Sequence, residues 1–317
     1  MAQRIVVLGG TGFVGRAFAA RCAAQGLQLH LRVVTRHLAH GAVLRSLPGL
    51  DLVEADVHDA NALARLFGDA DAVVNLVAIL HGRAADFQRI HVELPRSIAQ
   101  ACRVAGMRRL IHVSALGVGP QAPSMYLCSK TDGEAVLRDA GLALTVLRPS
   151  VVFGAEDRFL NLFASLQALS PFVPLPCASA RFQPVWVRDL AQALWCCVNR
   201  IDTAGKVFEV VGPEVFTLRE LVRLAGRRAG HVRPIIGLPA TLGAFQAWLL
   251  EHMPGGPLMS RDNLRSMQVP NVATGTLPGL ADLGITATSI GSAWGRDSAT
   301  EVLADELGRW RAGRGAG

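Results

Sequence analysis

The pentapeptide Tyr126-Leu127-Cys128-Ser129-Lys130 holds the only tyrosine of this 317-residue chain and one of its two lysines, the other being Lys206. Four residues on an α-helix is just over one turn, so Tyr126 and Lys130 would share a face. An ammonium beside a phenol favours the phenolate and lowers a pKa that otherwise lies at about 10. A tyrosine held this way can exchange a proton with a carbonyl or an alcohol while hydride moves elsewhere in the same site. The same spacing also describes an ordinary pair on a helix surface, so the context has to decide.

That context begins with "VVLGGTGFVGR", residues 6–16, which ends an apolar run and opens a helical pattern. Gly9, Gly12 and Gly15 give G-x-x-G-x-x-G, and Gly10, Gly12 and Gly15 also satisfy G-x-G-x-x-G. Early glycines let the backbone turn and approach a pyrophosphate, the last admits close helix packing, and the helix N-terminus supplies unpaired N–H groups. Gly9, Gly10, Thr11, Gly12, Phe13, Val14, Gly15 and Arg16 are therefore the predicted phosphate-binding segment. The missing Gly-Lys-Ser/Thr excludes a P-loop.

The next strand distinguishes between cofactors. An NAD site would place Asp or Glu there to bond the ribose hydroxyls, whereas this chain has Thr35-Arg36-His37. Arg36 can pair a 2′-phosphate, and Arg16 can reach the same group. The predicted cofactor is NADP(H) in preference to NAD(H). Asp56, followed by Val57, has two open readings: an acceptor for the adenine amino group, or the cap of the following helix. Val77 and Ala78, in "NLVA", would line the cofactor or belong to plain core.

These motifs need a scaffold. Short β-branched runs at 4–9, 29–35, 51–55, 71–77, 109–114 and 143–148 alternate with helical patterns at 13–25, 59–67, 86–105 and 125–140. Near-continuous Val/Ile/Leu strands separated by helices are the signature of a parallel sheet covered on both faces. The predicted class is α/β, a Rossmann-type doubly wound parallel sheet with a smaller helical C-terminal substrate lobe. Residues 1–155 are predicted as the NADP(H)-binding domain and 156–317 as the smaller lobe, with some segments returning to the sheet. In the second part the pattern gives a helix at 158–169, a strand at 182–187, a helix from Asp189, a strand at 206–212 and a helix near Thr217. The apolar stretch 238–254 fits core packing, a pocket wall, a partner or a membrane surface. The Gly/Arg-rich tail at 309–317 is expected to fray.

Composition narrows the classes. Half the residues are hydrophobic, 18% are charged and the mean hydropathy is +0.31, which excludes disorder as the main state. The net charge of +7 could serve nucleic acid, but the arginines are dispersed without aromatic interleaving, so no nucleic-acid partner is expected. The six cysteines and nine histidines show no ligand spacing, and no metal is expected. The start "MAQRIVVLGG" lacks the pattern of a signal peptide, and no apolar run reaches membrane-spanning length. The expected location is cytoplasmic, with peripheral contact at the inner face of the membrane open.

The glycine loop, the strand-end Ser114 in "HVSALG" and the Tyr126/Lys130 pair, in this order, resemble the short-chain dehydrogenase/reductase superfamily, extended or atypical branch. The segments "RPSVVFGAEDRFLNLFASL" and "RFQPVWVRDLAQAL" are similar to the branch of the NADPH-binding accessory subunit of respiratory complex I and its bacterial relatives. The resemblance implies Tyr126 as proton donor, Lys130 as its electrostatic partner and holder of the nicotinamide ribose, and Ser114 as carbonyl ligand. Ala115 and Leu116 follow Ser114 where many active relatives carry further hydroxyls, so a structural role for Ser114 stays open. "RPSVVFG" would lie near the nicotinamide, with Pro149 fixing the turn and Val151, Val152 and Phe153 packing on the ring, or would be a buried strand-to-loop junction. Two functions follow: an oxidoreductase acting on a hydrophobic carbonyl or quinone-related compound, or a non-catalytic accessory protein of a respiratory or quinone-biosynthetic complex. A nucleotide-sugar epimerase or dehydratase is a third.

Overall fold

The computed structural model describes residues 3–26, 29–252 and 259–294. The predicted tail at 309–317 and the end of the apolar stretch at 253–254 lie outside them.

Six strands come from the first half: β1 (Gln3–Leu8), β2 (Leu29–Thr35), β3 (Leu50–Glu54), β4 (Ala72–Asn75), β5 (Arg109–Val113) and β6 (Ala143–Pro149). With Val207–Val210 they form a seven-stranded sheet in the order β3-β2-β1-β4-β5-β6 and then Val207–Val210, every pairing parallel. The predicted doubly wound sheet is therefore present. β1 has neighbours on both sides, β2 and β4, and the chain direction across the sheet reverses there, opening a crevice at the C-terminal edge.

Helices cover both faces: α1 (Phe13–Ala23), α2 (Ala60–Phe67), α3 (Ala84–Gln88), α4 (Leu94–Ala105) and α5 (Met125–Arg138). Side chains alternate across β1, so Ile5 and Val7 join one core with Phe18 of α1, while Val6 and Leu8 join another with Leu63 of α2 and Ile98 of α4. Each fully buried Val, Ile or Leu contributes about 1.5–3 kcal/mol, so this two-sided burial fixes the strand register.

The pattern at 86–105 reads as one helix, but α3 and α4 are joined by a π-helical turn, Arg89–Glu93. Pro95 is the cause: without an N–H it cannot donate to the carbonyl of His91, four residues back. The preceding N–H, of Leu94, reaches instead to Arg89 O, the longer bond of a π turn.

Beyond residue 155 the chain contributes α6 (Phe159–Leu169), α7 (Val187–Asn199), α8 (Leu218–Arg228), α9 (Ala240–Glu251), α10 (Arg261–Ser266) and α11 (Ile290–Trp294). Leu190 and Leu194 of α7 pack into the core beside α1, and Val207–Val210 extends the sheet, so this part of the chain returns to the first unit. A third core gathers Leu160 and Phe163 of α6 with Leu221 and Val222 of α8. The strand predicted at 182–187 is instead two two-residue strands, Arg181–Phe182 and Val185–Trp186, and α7 starts at Val187. Pro184, which has no ladder donor, separates the two.

Candidate functional site

Gly9 follows β1 with φ +77°, a conformation that glycine adopts at no steric cost. The loop closes with Gly12 N–H donating to Gly9 O at 3.1 Å. A Cβ on Gly15 would fall 2.4 Å from the Cα of Gly10, so α1 meets the loop at a distance only glycine permits. Gly12 caps α1 and no side chain caps it, so the first-turn N–H groups keep their positive end turned to the loop. This cradle at the sheet's switch point fits a dinucleotide pyrophosphate.

The other predicted contacts surround the same edge. Leu76 and Val77 lie against Gly9, with the Val77 N 3.1 Å from where its Cβ would be. Val57 and Val77 join the core on the α2 side, while Ala78 is exposed. Asp56 Oδ1 accepts from His58 N–H at 3.0 Å, and the cap of α2 is Asp59, which accepts from Asn61 and Ala62. The capping alternative for Asp56 is thereby replaced. Arg36 is exposed at the end of β2 and makes no hydrogen bond or ion pair among the described residues. Arg16 donates to Thr11 O at 2.8 Å and pairs with Glu156.

On the opposite side, Phe13, Val14, Val151 and Val152 pack on the third core together with buried Phe153. Pro149 is the last residue of β6 and accepts from Leu116 N–H at 3.0 Å, so the strand runs through it and the turn comes later. Asn271 Oδ1 holds that turn, accepting from Ser150 Oγ at 2.6 Å and Val151 N–H at 3.0 Å.

Tyr126 and Lys130 do lie on one helix, α5, packed beside α4 and β6. Lys130 is 2% exposed, and its Nζ donates to Val113 O, the last carbonyl of β5, at 2.7 Å. Burial lowers its pKa to about 8, against the opposing pull of Glu134. That carboxylate, itself buried, binds Arg148 through two bonds of 3.0 and 2.6 Å and Arg138 at 2.6 Å, tying α5 to β6. Next to Val113, Ser114 Oγ is enclosed and has no hydrogen-bond partner among the described residues.

Tyr126 corrects the sequence reading in one respect. Its phenol is pushed up to about 12 by burial, rather than down by Lys130. The ammonium is committed to Val113 O, and no hydrogen bond joins it to the phenol. The ring, half-buried, sits edge-on to His91 at 5.5 Å and near Phe87 at 6.3 Å between centroids. The phenol is consequently a proton donor at neutral pH and needs a bound partner before it can act as a base.

Two histidines below it stay neutral. His91 Nε2 accepts from Ile79 N–H at 3.1 Å, so the ring proton lies on Nδ1 and goes to Ser129 Oγ at 2.8 Å. Ser129 in turn donates to Tyr126 O at 2.8 Å. Burial, with Lys130 nearby, lowers His91 to about 3. His112 Nδ1 faces the Asn75 amide at 3.1 Å, and burial holds it well below its ordinary value.

Sequence reading missed the residue that grips the start of this helix. Asp262, on α10, accepts from Met125 N–H at 2.8 Å and Tyr126 N–H at 3.0 Å, while Ser266 Oγ donates to the N-cap Ser124 at 2.8 Å. The only local signal was the Ser260/Asn263 capping box that opens α10.

A family model described as the NAD dependent epimerase/dehydratase family matches residues 5–211. The chain belongs to that family. It is 31% identical over 291 residues to mouse NADH dehydrogenase (ubiquinone) 1 alpha subcomplex subunit 9, mitochondrial, covering 90% of this chain and 76% of that protein. The resemblance to the complex I accessory branch is thus borne out. The chain is also 30% identical over 252 residues to a ceramide reductase of Caulobacter vibrioides, covering 77% of this chain and 78% of that one. Among solved structures, a nucleoside-diphosphate-sugar epimerase from Staphylococcus aureus superposes with a TM-score of 0.72 at 16% identity, over 92% of this chain and 99% of that one. That likeness shows the fold alone.

Proposed function

We propose that the protein is an NADP(H)-dependent oxidoreductase that reduces a hydrophobic carbonyl or quinone-related compound. The observation that carries this reading is Tyr126 on the helix of buried Lys130, at the C-terminal end of the sheet that bears the glycine cradle. A nicotinamide, when bound, supplies the hydride. Tyr126 then gives its proton to the developing alkoxide, a far stronger base than a phenolate. Lys130, one helical turn on and bonded to Val113 O at the end of β5, is the cation that would have to leave that carbonyl to meet the phenolate or a ribose hydroxyl. Ser114, enclosed yet unpartnered, is the hydroxyl available to a carbonyl oxygen. Unpaired Arg36, with no carboxylate at the end of β2, favours the 2′-phosphate of NADP(H). The 30% identity to a ceramide reductase supports a hydrophobic carbonyl substrate.

The test is NADPH oxidation in the presence of long-chain ketones or quinones by the purified protein and by Tyr126→Phe. Substrate-dependent oxidation that the variant lacks, with nucleotide binding kept, supports the reading. Equal rates in both proteins overturn it.

A second reading, a non-catalytic nucleotide-binding accessory protein of a respiratory or quinone-biosynthetic complex, is favoured by the match to the complex I subunit over 90% of the chain. It predicts co-purification with such a complex and no turnover.

A further inference from the structure

Helix α9 is built in reverse of an ordinary surface helix. Its inward positions are small or polar: Gly243, where a Cβ would meet Pro176 at 2.7 Å, Ala247, and Gln246, which donates to Pro174 O at 3.2 Å. Its outward positions carry Leu242, Phe245, Trp248 and Leu249, between 44% and 62% exposed, with the Phe245 and Trp248 rings stacked at 5.9 Å. This spacing puts the four on one stripe. The strand pair beneath α9, Val173–Pro176 with Ile235–Leu238, carries a further exposed apolar side chain, Ile236. A helical stripe of large exposed apolar side chains marks an interaction site.

Charge selects the occupant. Between Glu220 and Glu251 the sequence has no acidic residue and four arginines, Arg223, Arg227, Arg228 and Arg233. Arg219, bonded to Ile235 O at 2.8 Å, and Arg233, bonded to Gln167 O at 3.1 Å, flank the strand pair itself. An aromatic and aliphatic stripe beside arginines, in a stretch of chain without carboxylates, is the pattern that enters the headgroup layer of an anionic membrane. α9 packs on α10, whose Asp262 holds Tyr126.

We infer that this face docks on an anionic bilayer surface, where a water-insoluble carbonyl substrate is already dissolved. The inference deepens the proposed function, and its test does not depend on turnover. Flotation of the full chain would be compared with vesicles of phosphatidylcholine alone and of phosphatidylcholine mixed with phosphatidylglycerol. The protein floats with the mixed vesicles, less so in high salt, and the double variant F245S/W248S loses at least about tenfold in bound fraction. Val104→Ser, at an exposed apolar site on α4, leaves flotation unchanged. Nucleotide binding by each variant verifies its fold. No flotation, equal binding to both vesicles, or a double variant that floats like the parent overturns the inference. A concentration-dependent dimer abolished by F245S/W248S assigns the face to a second copy and also overturns it. Reduction of a short soluble ketone without vesicles reports separately on the oxidoreductase reading.

Discussion

The carboxylate of Asp262 accepts the backbone N–H of Tyr126 at 3.0 Å from 136 residues further along the chain. A negative charge at the start of α5 satisfies two orphan donors and complements the helix dipole. The second unit thereby sets the position of the tyrosine without touching its phenol. Asp262→Ala is expected to cost about 1–2 kcal/mol of stability. It should lower kcat while nucleotide affinity holds, and Asp262→Asn should restore part of both. Thermal unfolding and steady-state kinetics check this, and a variant indistinguishable from the parent would contradict it.

Gly133 marks the tightest contact of α5. A Cβ there would stand 1.9 Å from the carbonyl of His91, the group that Pro95 leaves without its usual helical donor. Gly133→Ala must push α5 off the π turn, at a cost of roughly 3 kcal/mol. Urea unfolding should show the loss, and an unchanged midpoint would mean the helix has room to shift.

Arg36 bears on cofactor choice. Arg36→Ala should weaken NADPH binding by about ten- to a hundredfold, the worth of a charge-assisted bond to phosphate, and leave NADH nearly unchanged. Fluorescence titration with both nucleotides decides this. Parallel losses for both would remove the 2′-phosphate contact from the account.

The buried histidines give a pH signature. His91, lowered to about 3, and His112, lowered well below its ordinary value, are neutral when folded and protonate more readily when unfolded. Their contribution is complete above about pH 6.5 and is lost as pH falls, through the window from 6.5 to about 3 for His91. The slope is about 1.4 kcal/mol per pH unit for each fully titrating histidine. Urea unfolding from pH 7 down to pH 4 should show the decline, and His91→Gln should flatten it. A slope that does not change in His91→Gln would contradict the assignment.

Much of the first unit was legible because its signals are local. β2 runs over Leu29–Thr35, as the β-branched run indicates, and the glycine loop lies between β1 and α1 where its spacing places it. Tyr126 and Lys130 share α5 because four residues make a helical turn. The direction of the Tyr126 shift was not legible, since it depends on burial and on Lys130 turning to Val113 O. Asp262 and Asn271 were invisible for a related reason: each acts on backbone more than 100 residues away, and nothing in the local pattern encodes the partner. The π turn carried a local cause in Pro95, but a proline in the first turn of a helix is equally an ordinary start.

The most direct test of an NADP(H)-dependent oxidoreductase is to release the nucleotide from the purified protein by denaturation, identify it, and follow its exchange and oxidation in the native protein with a long-chain ketone or a quinone. The account predicts NADPH or NADP⁺ that exchanges with free nucleotide and is oxidised only when the carbonyl compound or quinone is added. A tightly held NADPH that neither exchanges nor oxidises would contradict it and make the site structural.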